Sequence, residues 1–373
     1  MSILVLSLNG SQNYKILNTP IYSLNPMNVE KIFINPCHGN EPYILAASIA
    51  QGIAEKIPGS ANSRPIIVVP LLYGKKQARI MSEEGLMKEN VLLDEELGNI
   101  YRTFTFKDGD FTQNIDDLLA KQQEAERGIR NHLRNKYGTV DLEINAGSQV
   151  STGLRSFLAY PSIYTELYRR TQQEPDLMQH IPAGRLGVLI EMMQKVEEGI
   201  ETFFIPSYNT FSYDSNRQQH SKEVSTPPLK HILQQNTEEI PPDSVYFMLS
   251  GTGSERENTL DLARQTRAQG KHVILSQSVE SDEFERRSPD IISNDNIIEV
   301  VGRAGWGTIW LCQNLGKKFG ALAYTPGDEP EIYFNIKTLQ TNPIKQATRQ
   351  QFERFGTLDG INYVVNEILS RLQ

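Results

Sequence analysis

The chain of 373 residues is long for one domain and comfortable for two, and its 39% apolar residues suffice for sizeable cores. Its 45 acidic against 37 basic residues give a formal net charge of −8, which argues against general binding to nucleic acid or an anionic membrane, since both need a cationic face. Cys37 and Cys312 are the only cysteines, too few for a disulfide framework, and both are expected as reduced thiols.

The opening run MSILVLSLNGSQ carries no basic stretch and is too short for a signal peptide or a membrane span. It reads as a strand over 2–8, and a cytoplasmic location is expected. A second strand covers 31–35, followed by the loop PCHGNEPY and a helix on which Ile44, Leu45, Ala47, Ile49, Ala50, Ile53 and Ala54 recur at helical spacing. The continuous apolar run RPIIVVPLL at 64–72 reads as a strand buried on both faces. The three form a βαβ unit with a right-handed crossover. Residues 114–137 read as a charged surface helix with His132 on its solvated side, 154–170 and 184–199 as further helices, and 200–206 as a strand. The stretch 207–242 is rich in Ser, Asn, Gln and Pro and reads as a connection holding one short helix around LKHIL.

The rhythm then restarts. Strands are expected at 244–250, 271–277, 297–302 and 319–326. Helices are expected after each glycine-rich turn, the first with Leu260, Leu262, Ala263 and Ala268 on its buried side, and 342–373 is expected to be mostly helical. The fold class is α/β with two Rossmann-like domains facing across a cleft. The divisions are an N-terminal domain over 1–206, a connection over 207–242, a C-terminal domain over 243–345, and helices over 346–373 placed to pack back on the N-terminal domain.

Two turns of the second half follow strands and open helices: Gly251-Thr252-Gly253-Ser254, and GRAGWGT at 302–308. A helix start offers unpaired N–H groups and a positive dipole end, and glycine lets that backbone approach an anion. Side by side at the carboxyl ends of parallel strands, such turns suit a diphosphate. Arg303 adds charge-assisted hydrogen bonds. Asp328, Glu329 and Glu331 are placed to accept from sugar or ribose hydroxyls. Neither turn is a Walker A loop, and no GxGxxG fingerprint follows the first strand. In the first half, His38 stands between a strand and a helix, where an imidazole suits a general base, with Glu41 near enough in sequence to orient or replace it. His132, His180, His220, His231 and His272 show no metal-type spacing, so no metal site is expected. The aromatic stretch FFIPSYNTFSY at 203–213 either packs a domain junction or lines a cleft through Tyr208, Phe211 and Tyr213.

These residues resemble the nucleotide-sugar glycosyltransferases of the GT-B fold, in the style of the peptidoglycan N-acetylglucosaminyltransferase and the glucosyl- and glucuronosyltransferases. His38-Gly39-Asn40-Glu41-Pro42, with the alanine-rich helix behind it, is similar to that family's loop after its first strand, with one extra residue between histidine and proline. Leu249-Ser250-Gly251-Thr252-Gly253-Ser254 resembles the turn opening the donor domain, and Arg303-Ala304-Gly305-Trp306-Gly307-Thr308 with Leu315-Gly316-Lys317-Lys318 resembles the donor loop. The chain departs from the pattern in three places. No carboxylate stands near Trp310-Leu311-Cys312, Asp328-Glu329 replaces an Asp/His-Gln pair, and Lys318 stands where proline is usual.

The resemblance implies a UDP-sugar held as co-substrate by Gly251, Thr252, Gly253, Ser254, Arg303, Gly305, Trp306, Gly307 and Thr308, with Asp328, Glu329 and Glu331 beside it, and no metal or other cofactor. It implies an acceptor (a small molecule, glycan or lipid) on the N-terminal domain, deprotonated by His38 or Glu41. A lipid acceptor would bring peripheral contact with a membrane. Trp306 is expected to stack on the base or wall the cleft, and Trp310 to pack in the core. Two other readings keep the fold: a catalytically degenerate binding protein, and a nucleotide-sugar epimerase using Asp328, Glu329 and Glu331.

Overall fold

The computed structural model describes residues 29–37, 39–57, 64–104, 111–231, 233–248, 253–277, 279, 281–342, 344 and 352–373, with the backbone alone for 253–256. The strand expected at 2–8, and His38, Gly251 and Thr252, lie outside the described residues, as does the side chain of Ser254.

Twelve strands are described: β1 (Lys31–Pro36), β2 (Ile66–Pro70), β3 (Val91–Asp94), β4 (Leu142–Ala146), β5 (Ser156–Ala159), β6 (Ile200–Pro206), β7 (Glu223–Thr226), β8 (Ser244–Met248), β9 (Val273–Ser276), β10 (Glu285–Arg287), β11 (Ile297–Gly302) and β12 (Lys318–Ala321). The first seven form one parallel sheet in the order β3-β2-β1-β4-β5-β6-β7, and the last five a second in the order β10-β9-β8-β11-β12. The helices are α1 (Asn40–Lys56), α2 (Gly74–Glu83), α3 (Glu95–Arg102), α4 (Phe111–Tyr137), α5 (Tyr164–Thr171), α6 (Pro175–Met178), α7 (Ala183–Glu198), α8 (Gly253–Ala268), α9 (Trp306–Leu315), α10 (Pro330–Thr341) and α11 (Gly360–Arg371).

The strand order positions the site. In the first sheet the chain runs outward through β2 and β3, then returns to place β4 on the other side of β1. In the second it runs through β9 and β10, then returns to place β11 beside β8. Each sheet therefore has a switch point where neighbouring loops diverge and leave a crevice at the carboxyl ends of the strands. Helix α1 starts at the first switch point and α9 at the second.

One apolar cluster runs through both halves, joining Ile34, Ala46 and Phe204 to Ala304, Trp306 and Trp310 and to Val364, Val365 and Ile368 of α11. Helix α11 lies along α1: a β-carbon on Gly52 would stand 2.7 Å from Val365 Cγ2, and Lys56 Nζ donates to Asn366 Oδ1 at 2.8 Å.

The structure corrects several expectations. Within 154–170, Ser156–Ala159 is a strand and only Tyr164–Thr171 is helical, because a four-residue buried run fits either element and Pro161 separates the two. The stretch 207–242 contributes β7 to the first sheet, and no helix forms among its described residues. Of the described residues in 342–373, α11 and a short 3₁₀ turn at Glu353–Phe355 are helical. On α8, Thr259 and Ala263 are buried while Leu262 and Ala268 are exposed. Surface helix α4 is amphipathic, burying Phe111, Ile115, Leu118, Ile129 and Leu133. The short strands β3, β4 and β10 and helices α2 and α3 were not read from sequence.

Candidate functional site

The two helix starts at the switch points meet. Gly39 caps α1 in the left-handed region (φ 96°), and its N–H donates to Tyr73 Oη at 2.6 Å. Two residues on, Glu41 reaches across to the first turn of α9. A β-carbon on Gly307 would stand 2.6 Å from Glu41 Cδ, so the carboxylate rests where any other residue would carry a side chain. Glu41 Oε2 also pairs with Lys230 Nζ at 2.8 Å. The carboxylate thus faces the second helix and Lys230. His38 lies outside the described residues.

The four glycines of 302–316 have separate reasons. Gly302 ends β11 against β8, where a β-carbon would stand 2.6 Å from the Met248 carbonyl oxygen. Gly305 caps α9 with open space in front of it. Gly307 makes room for Glu41, and Gly316 ends α9 in the left-handed conformation at φ 66°. Thr308 is buried and donates to Met248 Sδ at 3.1 Å.

Arg303 Nη2 donates to Asp328 Oδ1 at 3.1 Å, and Thr325 Oγ1 donates to Asp328 Oδ2 at 2.9 Å. Asp328 therefore positions the guanidinium at the mouth of the α9 turn. Glu329 caps α10, and Glu331 sits in that helix's first turn, buried. Glu331 is aimed at the N-terminal domain, where Ser162 Oγ donates to its Oε2 at 3.2 Å. Burial first, then the charge of Glu329, pushes its carboxyl up to about 7, against hydrogen bonds from Tyr160 and Ser162. Three tyrosines stand nearby, Tyr160, Tyr164 and Tyr168, their phenols held well above the ordinary value by burial and then by Cys37 for the first two and Glu329 for the third. Cys37, at the end of β1, donates to Tyr160 Oη at 3.7 Å. Gly147 (φ 77°) leaves room for the Tyr160 ring, which a β-carbon there would meet at 2.7 Å.

Trp306 is turned inward. It is 5% exposed, donates to Thr210 Oγ1 at 2.9 Å and packs edge-on to Tyr208, so its ring joins the two domains and presents no platform for a base. Trp310 lies in the core as expected and donates to the Tyr208 carbonyl at 3.2 Å. The aromatic stretch after β6 is junction packing: Phe211 is fully buried, and Tyr213 stacks on Phe334 of α10.

His132, expected in solvent, is instead half-buried on α4, with Nε2 2.8 Å from Asp94 Oδ2 and Nδ1 3.3 Å from Glu96 Oε2. Asp94, Glu96 and His132 are the one grouping of metal-type ligands among the described residues. Asp94 already caps α3 through the Leu97 N–H at 2.9 Å and pairs with Lys136 Nζ at 3.1 Å, which marks a helix cap.

The cleft thus brings together Glu41, Arg303, Gly305, Gly307, Asp328, Glu329 and Glu331, while Trp306 and Thr308 lie behind it. Sequence reading missed Lys230, Ser162, Thr210 and Tyr160. They sit on loops after β5, β6 and β7 with no motif of their own, and only the parallel order of the strands collects them at one sheet edge.

No protein-family model matches the chain, and no curated protein matches it in sequence. Solved structures do. The glycotransferase of kitacinnamycin is similar over 92% of this chain and 99% of its own, with a TM-score of 0.58 at 10% identity. A glycosyltransferase of Arabidopsis thaliana complexed with UDP-L-rhamnose is similar over 93% and 99%, with a TM-score of 0.58 at 10% identity. LpCGTa in complex with UDP is similar over 92% and 99%, with a TM-score of 0.54 at 11% identity. The chain has the GT-B fold: two parallel-sheet, Rossmann-like domains facing across a cleft. No helix among the described residues is long and apolar enough to cross a membrane.

Proposed function

We propose that this protein is a glycosyltransferase that moves a sugar from a UDP-sugar to an acceptor hydroxyl. One observation carries the reading. Two glycine-started helices, each at the switch point of its own parallel sheet, meet across one cleft at Glu41 and Gly307. The same fold binds UDP and UDP-L-rhamnose in two of the similar structures.

The donor diphosphate lies at the start of α9, with Arg303 and the adjacent carboxyl end of β8 beside it, and the acceptor on the N-terminal side near Tyr160. The acceptor oxygen attacks the anomeric carbon, the bond from that carbon to the phosphate oxygen breaks, and His38 takes the hydroxyl proton. Such a base contributes about 10²–10⁴-fold. Helix-end N–H groups and Arg303 stabilise the charge on the departing diphosphate, a role this reading gives to protein groups rather than a resident metal. Asp328 and Glu329 accept from sugar hydroxyls. The acceptor is a small molecule, a glycan or a lipid, the last bringing peripheral membrane contact.

A second reading has one observation of its own: no residue of α9 is acidic, so the helix lacks the carboxylate that holds a ribose in the resembled family. On that reading the protein binds a nucleotide-sugar without turnover. Calorimetric titration with UDP, GDP and ADP on wild type and Arg303→Ala tests the donor site. UDP binding weakened about 10- to 100-fold in the variant supports it. Binding of UDP with no transfer from any UDP-sugar would move the reading to the non-catalytic protein. For the base, His38→Ala is expected to lose turnover and keep UDP affinity.

A further inference from the structure

Glu41 is in an unusual place for a surface carboxylate. It stands in the first turn of α1, yet its oxygens lie over the first turn of α9, with Oε1 2.9 Å from the position a Gly307 β-carbon would take. Only glycine allows that approach. Lys230 Nζ holds the other oxygen at 2.8 Å from the segment that links the two domains. The carboxylate is an anion in a cradle built from a missing side chain, an ammonium and two helix starts. Its side chain is 48% exposed, so it is free to swing out, whereas the Lys230 side chain is 25% exposed.

We propose that Lys230 is a ligand of the donor's diphosphate and that Glu41 occupies the phosphate position as an exchangeable internal counter-ion until the donor arrives. The proposal rests on the donor site proposed above. On donor binding, the Glu41–Lys230 pair opens, Glu41 turns to solvent, and Lys230 pairs with a phosphate oxygen at Gly307. The exchange keeps the local charge balanced in both states: the partly buried ammonium always has an anion, and the start of α9 always faces one. It also makes donor binding a competition that a neutral ligand cannot win, which favours the charged diphosphate over free sugar.

The test is calorimetric titration of the full chain with UDP and, separately, with inorganic pyrophosphate, on wild type, Glu41→Gln, Lys230→Gln and the double variant, each checked for an intact melting transition. Removing the competing charge in Glu41→Gln should tighten both ligands about 3- to 10-fold, as expected for a half-exposed ion pair. Lys230→Gln should weaken both roughly 10-fold or more, and the double variant should resemble it. If Lys230→Gln fails to fold, Glu41→Gln alone decides. Wild-type binding of UDP with unchanged or weaker affinity in Glu41→Gln overturns this inference and leaves the donor site standing. Pyrophosphate binding with the expected pattern, but no nucleotide binding, supports the exchange and overturns the donor reading. No binding of either ligand by any variant overturns both.

Discussion

The indole N–H of Trp306 donates to Thr210 Oγ1 at 2.9 Å, and through that hydroxyl the C-terminal domain is tied back to itself by way of its neighbour. Thr210 Oγ1 lies 2.6 Å from Ser162 Oγ, and Ser162 donates to Glu331 at 3.2 Å. The relay leaves α9, crosses two loops of the N-terminal domain and returns to α10. Every member is buried. Trp306→Phe keeps most of the ring packing but leaves Thr210 without its donor, so it should cost about 1–3 kcal/mol. Urea unfolding of the variant checks this, and an unchanged midpoint would remove the relay from the account of domain docking.

The far end of the relay titrates. The Glu331 carboxyl is raised from 4.5 to about 7 in the folded protein. Below about pH 4.5 both folded and unfolded states hold the proton, so this group's term is level there. As pH rises from about 4.5 to about 7, the unfolded state loses the proton first, and stability falls; above about 7 it levels again. The span is at most about 3 kcal/mol. Glu331→Gln should remove this slope and be more stable relative to wild type at pH 8 than at pH 5. Unfolding both proteins at the two pH values decides it, and parallel pH dependences would show that Glu331 does not titrate there.

Gly302 is a packing glycine rather than a phosphate glycine. Its missing β-carbon is replaced by the Met248 carbonyl, which is backbone and cannot step aside. Gly302→Ala should therefore pry β11 from β8 and cost roughly 1–3 kcal/mol, typical of overpacking. Gly305→Ala has open space in front of it and should cost less, about 0.5–1 kcal/mol, for the poorer N-cap. Reversal of that order in thermal melts would contradict the division of roles.

The connecting stretch is clamped rather than loose. Arg217 pairs with Glu166 at 2.9 Å and Glu223 at 2.8 Å, and lies over the ring of Phe211 at 5.1 Å. The Glu223 side chain is 1% exposed, and the residue belongs to edge strand β7. Arg217→Met leaves that carboxylate without its cation, with only the His220 N–H still donating to it at 3.2 Å, and should cost about 3 kcal/mol. Limited proteolysis should then cut within 207–226. Resistance equal to wild type would show that β7 is held by other contacts.

Much of the site was legible in sequence because its signals are local. A βαβ unit with an apolar strand on each side of an alanine-rich helix can be read from spacing, and glycines before an apolar run mark α9. The same local logic placed the helix starts but misjudged what surrounds them. His132 reads as a solvated residue on a polar helix, yet its partners Asp94 and Glu96 come from β3 and α3, more than thirty residues away. Trp306 reads as a ligand platform because it sits in a glycine loop, yet Thr210 and Tyr208 from the other domain bury it.

By itself the sequence determined the class of fold, its division into two α/β halves, and the glycine turn that opens α9, where we propose the donor diphosphate binds. Those depend on residue periodicity and on glycine, which act within one or two turns of chain. The tertiary structure alone decided that Glu41 lies on Gly307, that Lys230 joins them, and that Glu331 faces the opposite domain. Each of these pairs residues 169 or more apart in the chain, or from different sheets, and their meeting follows from strand order and domain docking, which place carboxyl-end loops together whatever their separation in sequence.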